Sequence, residues 1–288
     1  MKTIVYLPDN NDEHIEVLKA FSEGIDCEVR SINEYRPCDM AVIFGIGKKN
    51  VPESYARGNV LYKQKLLGKK TIVIEKGYIK RDIYYSVGFD NINGRADFNN
   101  RNSPSDRWES LGIDLPKMKI NENGKYLLLI GQVPSDASVQ NVNIFEWCSK
   151  VVEKIHEVND DIRILFRPHP LAIDRTPHIE GTVWSEESLE DDLEYAASVI
   201  TFNSNTGVDA ILKGIPVYSH DEGSMVYDVS SHILNRIRLF DCTQWANDIA
   251  YSQWTMDEMR QGLPYRHLHE HNQLLGTADG DSKLAGQG

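Results

Sequence analysis

Arg167-Pro168-His169-Pro170 closes one apolar run, and Asn203-Ser204-Asn205-Thr206 closes another some thirty residues on. Together these are side chains that can hold a diphosphate. The second run, Ala197 to Thr201, enters a polar turn that opens a helix. The first N–H groups of a helix lack intrahelical partners and favour an anion. Ser204, Asn205 and Thr206 add side-chain donors at that point, and Asp209, one turn further, can accept hydrogen bonds from ribose hydroxyls. Gly214 then ends the helix before a strand from Ile215 to Tyr218. An ordinary strand-turn-helix-strand unit with a polar cap has the same pattern, and it is Arg167 and His169 that shift the balance towards a nucleotide pocket. His220, Asp221 and Glu222 follow the last strand and reach the same end, where they can contact a sugar or ribose. Trp184 and Ser185, at another strand end, suit either a nucleotide base or the core.

The elements that must position these groups are legible as periodicity. Thr3 to Leu7 is an apolar strand, His14 to Gly24 carries helical spacing, and Cys27 to Ser31 and Met40 to Gly45 are strands. Asn59 to Leu67 is helical and Lys70 to Glu75 is a fourth strand. Residues 76–116 loosen into an aromatic, glycine- and asparagine-rich segment. A second series starts at Lys125 to Gln132 and runs through a helix from Asn143 to Val158, a strand from Arg163 to Phe166, a short strand from Thr182 to Trp184 and an acidic helix from Ser188 to Tyr195. Strands alternating with helices imply parallel sheets covered on both faces, here two Rossmann-like domains across a cleft. Gly45, Glu75, Gly131, Arg167 and Ser204 all fall at the carboxyl ends of strands, where such sheets bind ligands. Thr255 and Glu258 form a capping box, with Gly262 as the stop.

Composition narrows the class. The chain has 288 residues, 41% hydrophobic and 26% charged, without an apolar run long enough for a membrane span. The N-terminus reads as a strand rather than a signal peptide, so a cytoplasmic protein is expected. Four scattered cysteines suggest neither a zinc site nor a disulfide framework. The net charge of −12 is uneven: residues 1–117 hold 18 basic against 17 acidic side chains, whereas residues 47–107 hold 13 against 6. That basic segment suits an anionic ligand, or is a set of solvated lysines. Glu190-Asp191-Asp192 reads as a solvated helix face, and the alternating His267, His269 and His271 as a helix end rather than a metal site.

Gly131-Gln132 with Asp136 and Ser138 close behind, then Arg167 to Pro170, then Asn203 to Ala210 with Gly214 to Val217, resembles the GT-B glycosyltransferases related to capsule polysaccharide biosynthesis proteins, a group with bacteriophage-encoded counterparts. The resemblance runs from Lys70 to His267. It implies a GT-B fold in which residues 1–117 bind the acceptor and residues 118–275 bind a nucleotide sugar, with a C-terminal helix packing back on the first domain; residues 276–288 read as a disordered tail. The donor would be a nucleoside-diphosphate sugar, with no further cofactor and no metal. Gly131, Gln132, Arg167, His169, Trp184, Ser204, Asn205, Thr206, Asp209 and His220 are the donor-binding candidates. Arg167, His169 and the helix start would stabilise the leaving group. Glu75, Asp97 and Asp90 are candidates for the base that activates the acceptor hydroxyl, although Glu75 beside Lys76 is equally the pattern of a structural salt bridge.

Two acceptors fit: a hydroxymethylated pyrimidine in phage DNA, and a surface or capsular polysaccharide. The basic segment, interleaved with tyrosines and phenylalanines, favours DNA, with Lys69, Lys70, Lys76, Arg81 and Arg95 as contacts. A nucleotide-sugar epimerase and a noncatalytic nucleotide-sugar-binding protein are the remaining alternatives.

Overall fold

The computed structural model describes residues 1–47, 54–134, 136–139, 142–234 and 236–276, with side chains as far as His269. Lys48, Lys49 and Glu53 of the basic segment, the side chain of His271 and the tail beyond residue 276 lie outside the described residues.

Two sheets carry the fold. The first has the order β11-β5-β4-β3-β1-β2, built from β1 (Thr3–Leu7), β2 (Glu28–Ser31), β3 (Met40–Phe44), β4 (Lys70–Lys76), β5 (Tyr84–Phe89) and β11 (Gln253–Thr255). The second has the order β10-β9-β6-β7-β8, from β6 (Tyr126–Ile130), β7 (Ile164–Arg167), β8 (Val183–Trp184), β9 (Ala196–Thr201) and β10 (Val217–Ser219). The central strands are continuous apolar runs because helices cover both faces: all five residues of β3 are buried. The helices of the first sheet are α1 (Asp12–Ile25) and α2 (Tyr55–Leu66); those of the second are α4 (Ile144–Val158), α5 (Leu189–Glu194) and α6 (Thr206–Leu212). α1 turns Val17, Leu18 and Phe21 inward, and α4 turns Ile144, Trp147, Cys148, Val151, Val152 and Ile155 inward.

The second sheet is parallel throughout, as alternation predicts. The first is mixed. Residues 76–116, expected to be irregular, contain β5, which pairs antiparallel with β4, and α3 (Asp106–Leu111). β11 then adds antiparallel to β5. Two aromatics followed by a glycine obscure the alternation of β5, and β11 is only three residues long.

The same segment joins the two sheets. Tyr78, Ile79, Phe98, Trp108 and Leu111 pack into one buried cluster with Leu128, Val199 and Ile211 around the second sheet. Buried Gln253 accepts the N–H groups of Tyr78 and Ile79 at 2.8 and 3.0 Å and donates to the Ile79 carbonyl at 3.2 Å. After α7 (Thr243–Ala250), β11 leads into α8 (Met256–Arg260), capped by reciprocal Thr255 and Glu258 hydrogen bonds, and α9 (Leu263–Gly276). α8 crosses α1 so closely that a Cβ on Gly24 would sit 1.9 Å from the Met259 carbonyl oxygen.

Candidate functional site

β3 and β4 point their carboxyl ends towards the carboxyl ends of β6, β7 and β9, and a cavity of about 260 Å³ lies between them. From the first sheet it is lined by Arg57, Glu75, Lys76, Tyr78 and Arg81; from the second by Gln132, Asp136, His169, Ser204 and Asn205. Seven of the expected site residues therefore meet there.

Gln132 and Asn203, each ending a strand, are buried and lock onto each other. The Gln132 amide donates to Asn203 Oδ1 at 2.8 Å and its Oε1 accepts the Asn203 N–H at 3.1 Å. Asn203 Nδ2 also donates to the Ser138 carbonyl at 2.8 Å and to Asp221 at 2.9 Å. This fixes the floor without using the outward side of the turn. Next along, Asn205 reaches across to the Tyr78 carbonyl at 3.1 Å, while its buried Oδ1 has no hydrogen-bond partner among the described residues. Thr206 lies behind, its N–H held by Ser204 Oγ at 3.3 Å.

His169 is oriented by the chain that follows it. Its Nδ1 accepts the Leu171 N–H at 3.1 Å, so the neutral ring carries its proton on Nε2. Burial depresses its pKa, Asp136 opposes the shift and Arg81 reinforces it. The imidazole is thus a neutral donor. Glu75 shows the opposite response: burial raises its carboxyl above the ordinary range, Asp136 adds to the rise, and the Lys76 N–H, Arg57 and Arg81 oppose it. Its Oε1 accepts the Lys76 N–H at 3.0 Å, and among the described residues it forms no ion pair. Lys76 pairs instead with Glu13, which also accepts from Tyr85 at 2.8 Å. Beside Glu75, Gly45 turns with φ 67°, and a Cβ there would stand 3.0 Å from Arg57 and 3.1 Å from Glu75 Oε2. Arg57 donates to the Phe44 carbonyl at 3.3 Å. Among the described residues neither Arg57 nor Arg81 forms an ion pair, so the cavity holds two guanidinium groups, two carboxylates and a neutral imidazole.

Other expected site residues lie elsewhere. Arg167 turns away from the cavity to Asp192 at 2.6 Å, Ser185 at 3.4 Å and the Glu187 carbonyl at 2.7 Å. Asp192 is consequently buried, not part of a solvated acidic face. Trp184 packs edge-on against Phe166, and Gly131 lies under the Phe166 ring. Asp209 sits on α6 outside the lining, its pKa raised to about 6 by burial. Asp90 and Asp97 are at the opposite end of β4: Asp90 caps the Thr71 N–H at 2.7 Å, and both carboxylates face Lys70, at 3.9 and 3.6 Å. Antiparallel pairing puts the end of β5 beside the start of β4, a full strand length from Glu75. Lys69 is at that far end too, paired with Asp39 at 2.8 Å. Arg95 forks onto Asp221 at 2.7 and 2.8 Å. Of the five cationic acceptor candidates, only Arg81 forms no ion pair among the described residues. His220 is not among the residues lining the cleft cavity; it lines a further recess with Trp147 and Tyr227. His267 and His269 contact the backbone carbonyls of Phe98 and Tyr265.

Arg57 and Asp136 are lining residues that the motifs did not single out as site residues. For Asp136 the signal was present, a carboxylate four positions after the strand-terminal Gln132; a lone arginine in the first turn of α2 gives none.

Among the described residues no helix is long and apolar enough to cross a membrane, and no cluster of His, Cys, Asp or Glu is arranged to hold a metal. The sequence matches no protein-family model and no curated protein. Solved structures do match the fold. A β-Kdo 2,7-transferase, KpsC of Thermosulfurimonas dismutans, is 16% identical with a TM-score of 0.57 over 91% of this chain and 98% of that one. A KpsC β-Kdo 2,4-transferase of the same organism is 12% identical with a TM-score of 0.58 over 88% of this chain and 90% of that one. The Methanocaldococcus jannaschii UDP-GlcNAc 2-epimerase aligns over 80% of this chain at a TM-score of 0.33, too distant to bear on it. With two facing α/β sheets, one parallel throughout and one mixed around a parallel centre, the chain has a GT-B-like fold.

Proposed function

We propose that the protein is a glycosyltransferase that moves a sugar from a nucleoside-diphosphate donor to a hydroxyl group of a surface or capsular glycan. The observation that carries this is the cleft cavity, where a carboxyl group raised by burial stands on one sheet and a neutral histidine donor on the other. Ionised Glu75 takes the proton of the attacking hydroxyl as its oxygen bonds to the anomeric carbon. The bond from that carbon to the phosphate oxygen breaks, and the charge left on phosphate is met by His169 Nε2–H, Arg57 and Arg81. Gln132, Ser204 and Asn205 line the donor side. Asp136 is the second carboxylate, near enough to both Glu75 and His169 to tune them. These groups complete the transfer without a metal or further cofactor.

A glycan acceptor agrees with the fold neighbours, which are sugar transferases by title. A DNA acceptor has no such support. Lys69 and Lys70 are far from the cavity, and Lys69, Lys70, Lys76 and Arg95 are all paired with carboxylates, which weakens the case for these four as phosphate contacts.

The test is incubation with a panel of nucleotide sugars, with and without bacterial surface oligosaccharides, followed by chromatography of the nucleotide and mass spectrometry of the glycan. Release of the nucleoside diphosphate coupled to a hexose adduct on the oligosaccharide is expected. Binding without turnover, or an isomerised donor without acceptor, would refute the transferase.

A further inference from the structure

Cavities beside the cleft continue it in one direction. A recess of about 350 Å³ shares Ile46, Ile92, Asn93, Ala137 and Ser138 with the cleft cavity. It shares Arg95, Val142, Phe202 and Asp221 with a further recess of about 560 Å³. The middle recess thus borders both of the others, and the three lie in a row that we call a trench, crossed where the loops of the two sheets touch. There the Gly94 N–H donates to the Gly223 carbonyl at 3.0 Å, and Arg95 forks onto Asp221. A Cβ on Gly94 would lie 2.6 Å from the Ser224 carbonyl oxygen, so only glycine permits this approach.

The far recess differs in chemistry from the cleft. Its floor is aromatic: the Trp147 ring packs against Phe202 at 5.4 Å and against exposed His220 at 5.7 Å, and Tyr227 stacks on His232 at 3.9 Å. Its charged residues are Arg95 and Lys150 against Glu146, Asp221 and Glu222, a balance of −1. Both cations are engaged, Arg95 by Asp221 and Lys150 by Glu146 at 2.5 Å. The cleft, by contrast, has two guanidinium groups, Arg57 and Arg81, that form no ion pair among the described residues. Such a recess offers a polyanion no unpaired cation among its described lining residues, whereas aromatic side chains edged by amides and carboxylates suit the C–H faces and hydroxyls of a sugar.

We propose that this trench binds an uncharged saccharide chain, the acceptor glycan, with its reacting end in the cleft and its following units over Tyr227 and His220. This assignment rests on the transferase reading for the identity of the reacting end. It makes the acceptor an oligosaccharide several units long, held partly by the second sheet.

The full chain is applied to an array of neutral and acidic oligosaccharides, alongside Tyr227→Ala and Glu222→Lys. Retention of neutral oligosaccharides is expected, weakened about threefold to tenfold by Tyr227→Ala. Glu222→Lys, at an exposed position, inverts the charge balance and is expected to gain binding of acidic chains. Binding unchanged in both variants, a preference of the wild type for acidic chains, or no retained glycan would each overturn the assignment. Calorimetric titration of the same proteins with nucleotide sugars reads the cleft separately. Intact donor binding with a silent array removes the trench and spares the donor site; glycan binding lost in Tyr227→Ala without any donor turnover removes the transferase and spares the trench.

Discussion

Glu75→Gln tests the chemistry at its centre. The substitution preserves length and shape, and a glutamine Oε1 still accepts the Lys76 N–H that Glu75 takes at 3.0 Å, so the end of β4 keeps its geometry. What is lost is the ability to accept a proton. A positioned general base contributes about 10²- to 10⁴-fold, equivalent to about 2.7–5.4 kcal/mol of barrier, and kcat is expected to fall by that factor. KM for the donor should stay nearly constant, because Glu75 is not on the donor side.

The pH dependence supplies the second half of the test. Burial lifts the Glu75 carboxyl above the usual carboxylate range. The base works only when ionised, so wild-type kcat/KM falls as pH drops through that raised pKa, and the fall begins at a higher pH than an exposed glutamate would give. Stability has the opposite sign: the protonated form is the one the folded state favours, so the contribution is present at low pH and lost as pH rises through the folded pKa. Glu75→Gln should thus remove the acidic limb of the rate profile and leave Tm at about pH 8 unchanged or higher. Initial rates of nucleotide release from about pH 5 to 9, with thermal melts at each pH, measure both. A variant within about threefold of wild-type kcat that keeps the acidic limb would refute the assignment.

Arg167→Ala strips the partner from a carboxylate that is 2% exposed, and breaking a buried pair costs about 3–5 kcal/mol, so chemical denaturation should register the loss while donor KM in the surviving protein changes little. Asp209 has its pKa raised from 3.8 to about 6 by burial, so its stabilising contribution is lost as pH rises between those two values; Asp209→Asn should therefore raise Tm most at about pH 7.5 and leave it unchanged only below about pH 3.5. Gly45→Ala forces a Cβ onto a residue at φ 67° and against both Arg57 and Glu75, with about 1–2 kcal/mol of backbone strain and a lower kcat expected; full activity would show that the turn does not position Glu75. Thr255→Ala removes the side-chain half of the α8 capping box and should cost about 1 kcal/mol by urea denaturation without altering turnover.

What was legible in the sequence and what was not divide along a physical line. Strands such as β1, β3, β6 and β9 are apolar runs whose burial follows from their own composition, and the turn after β9 and the capping box at Thr255 are set by residues three or four apart. Glu75, Gln132, His169 and Ser204 could be brought together on paper because strand ends in parallel sheets share one edge. The direction of a charged side chain is another matter, since it depends on which opposite charge the fold supplies. Arg167 sits at a strand end like His169, yet Asp192, 25 residues later, captures it. Lys69 meets Asp39, Lys76 meets Glu13 and Arg95 meets Asp221, 126 positions away. A count of basic residues along the chain sees none of these partners, so four of the five cations expected to meet a polyanion are each held by a carboxylate instead. Arg57 and Arg81, which form no ion pair among the described residues, both line the cleft, and for that reason the cleft is where an anionic donor finds charge to bind.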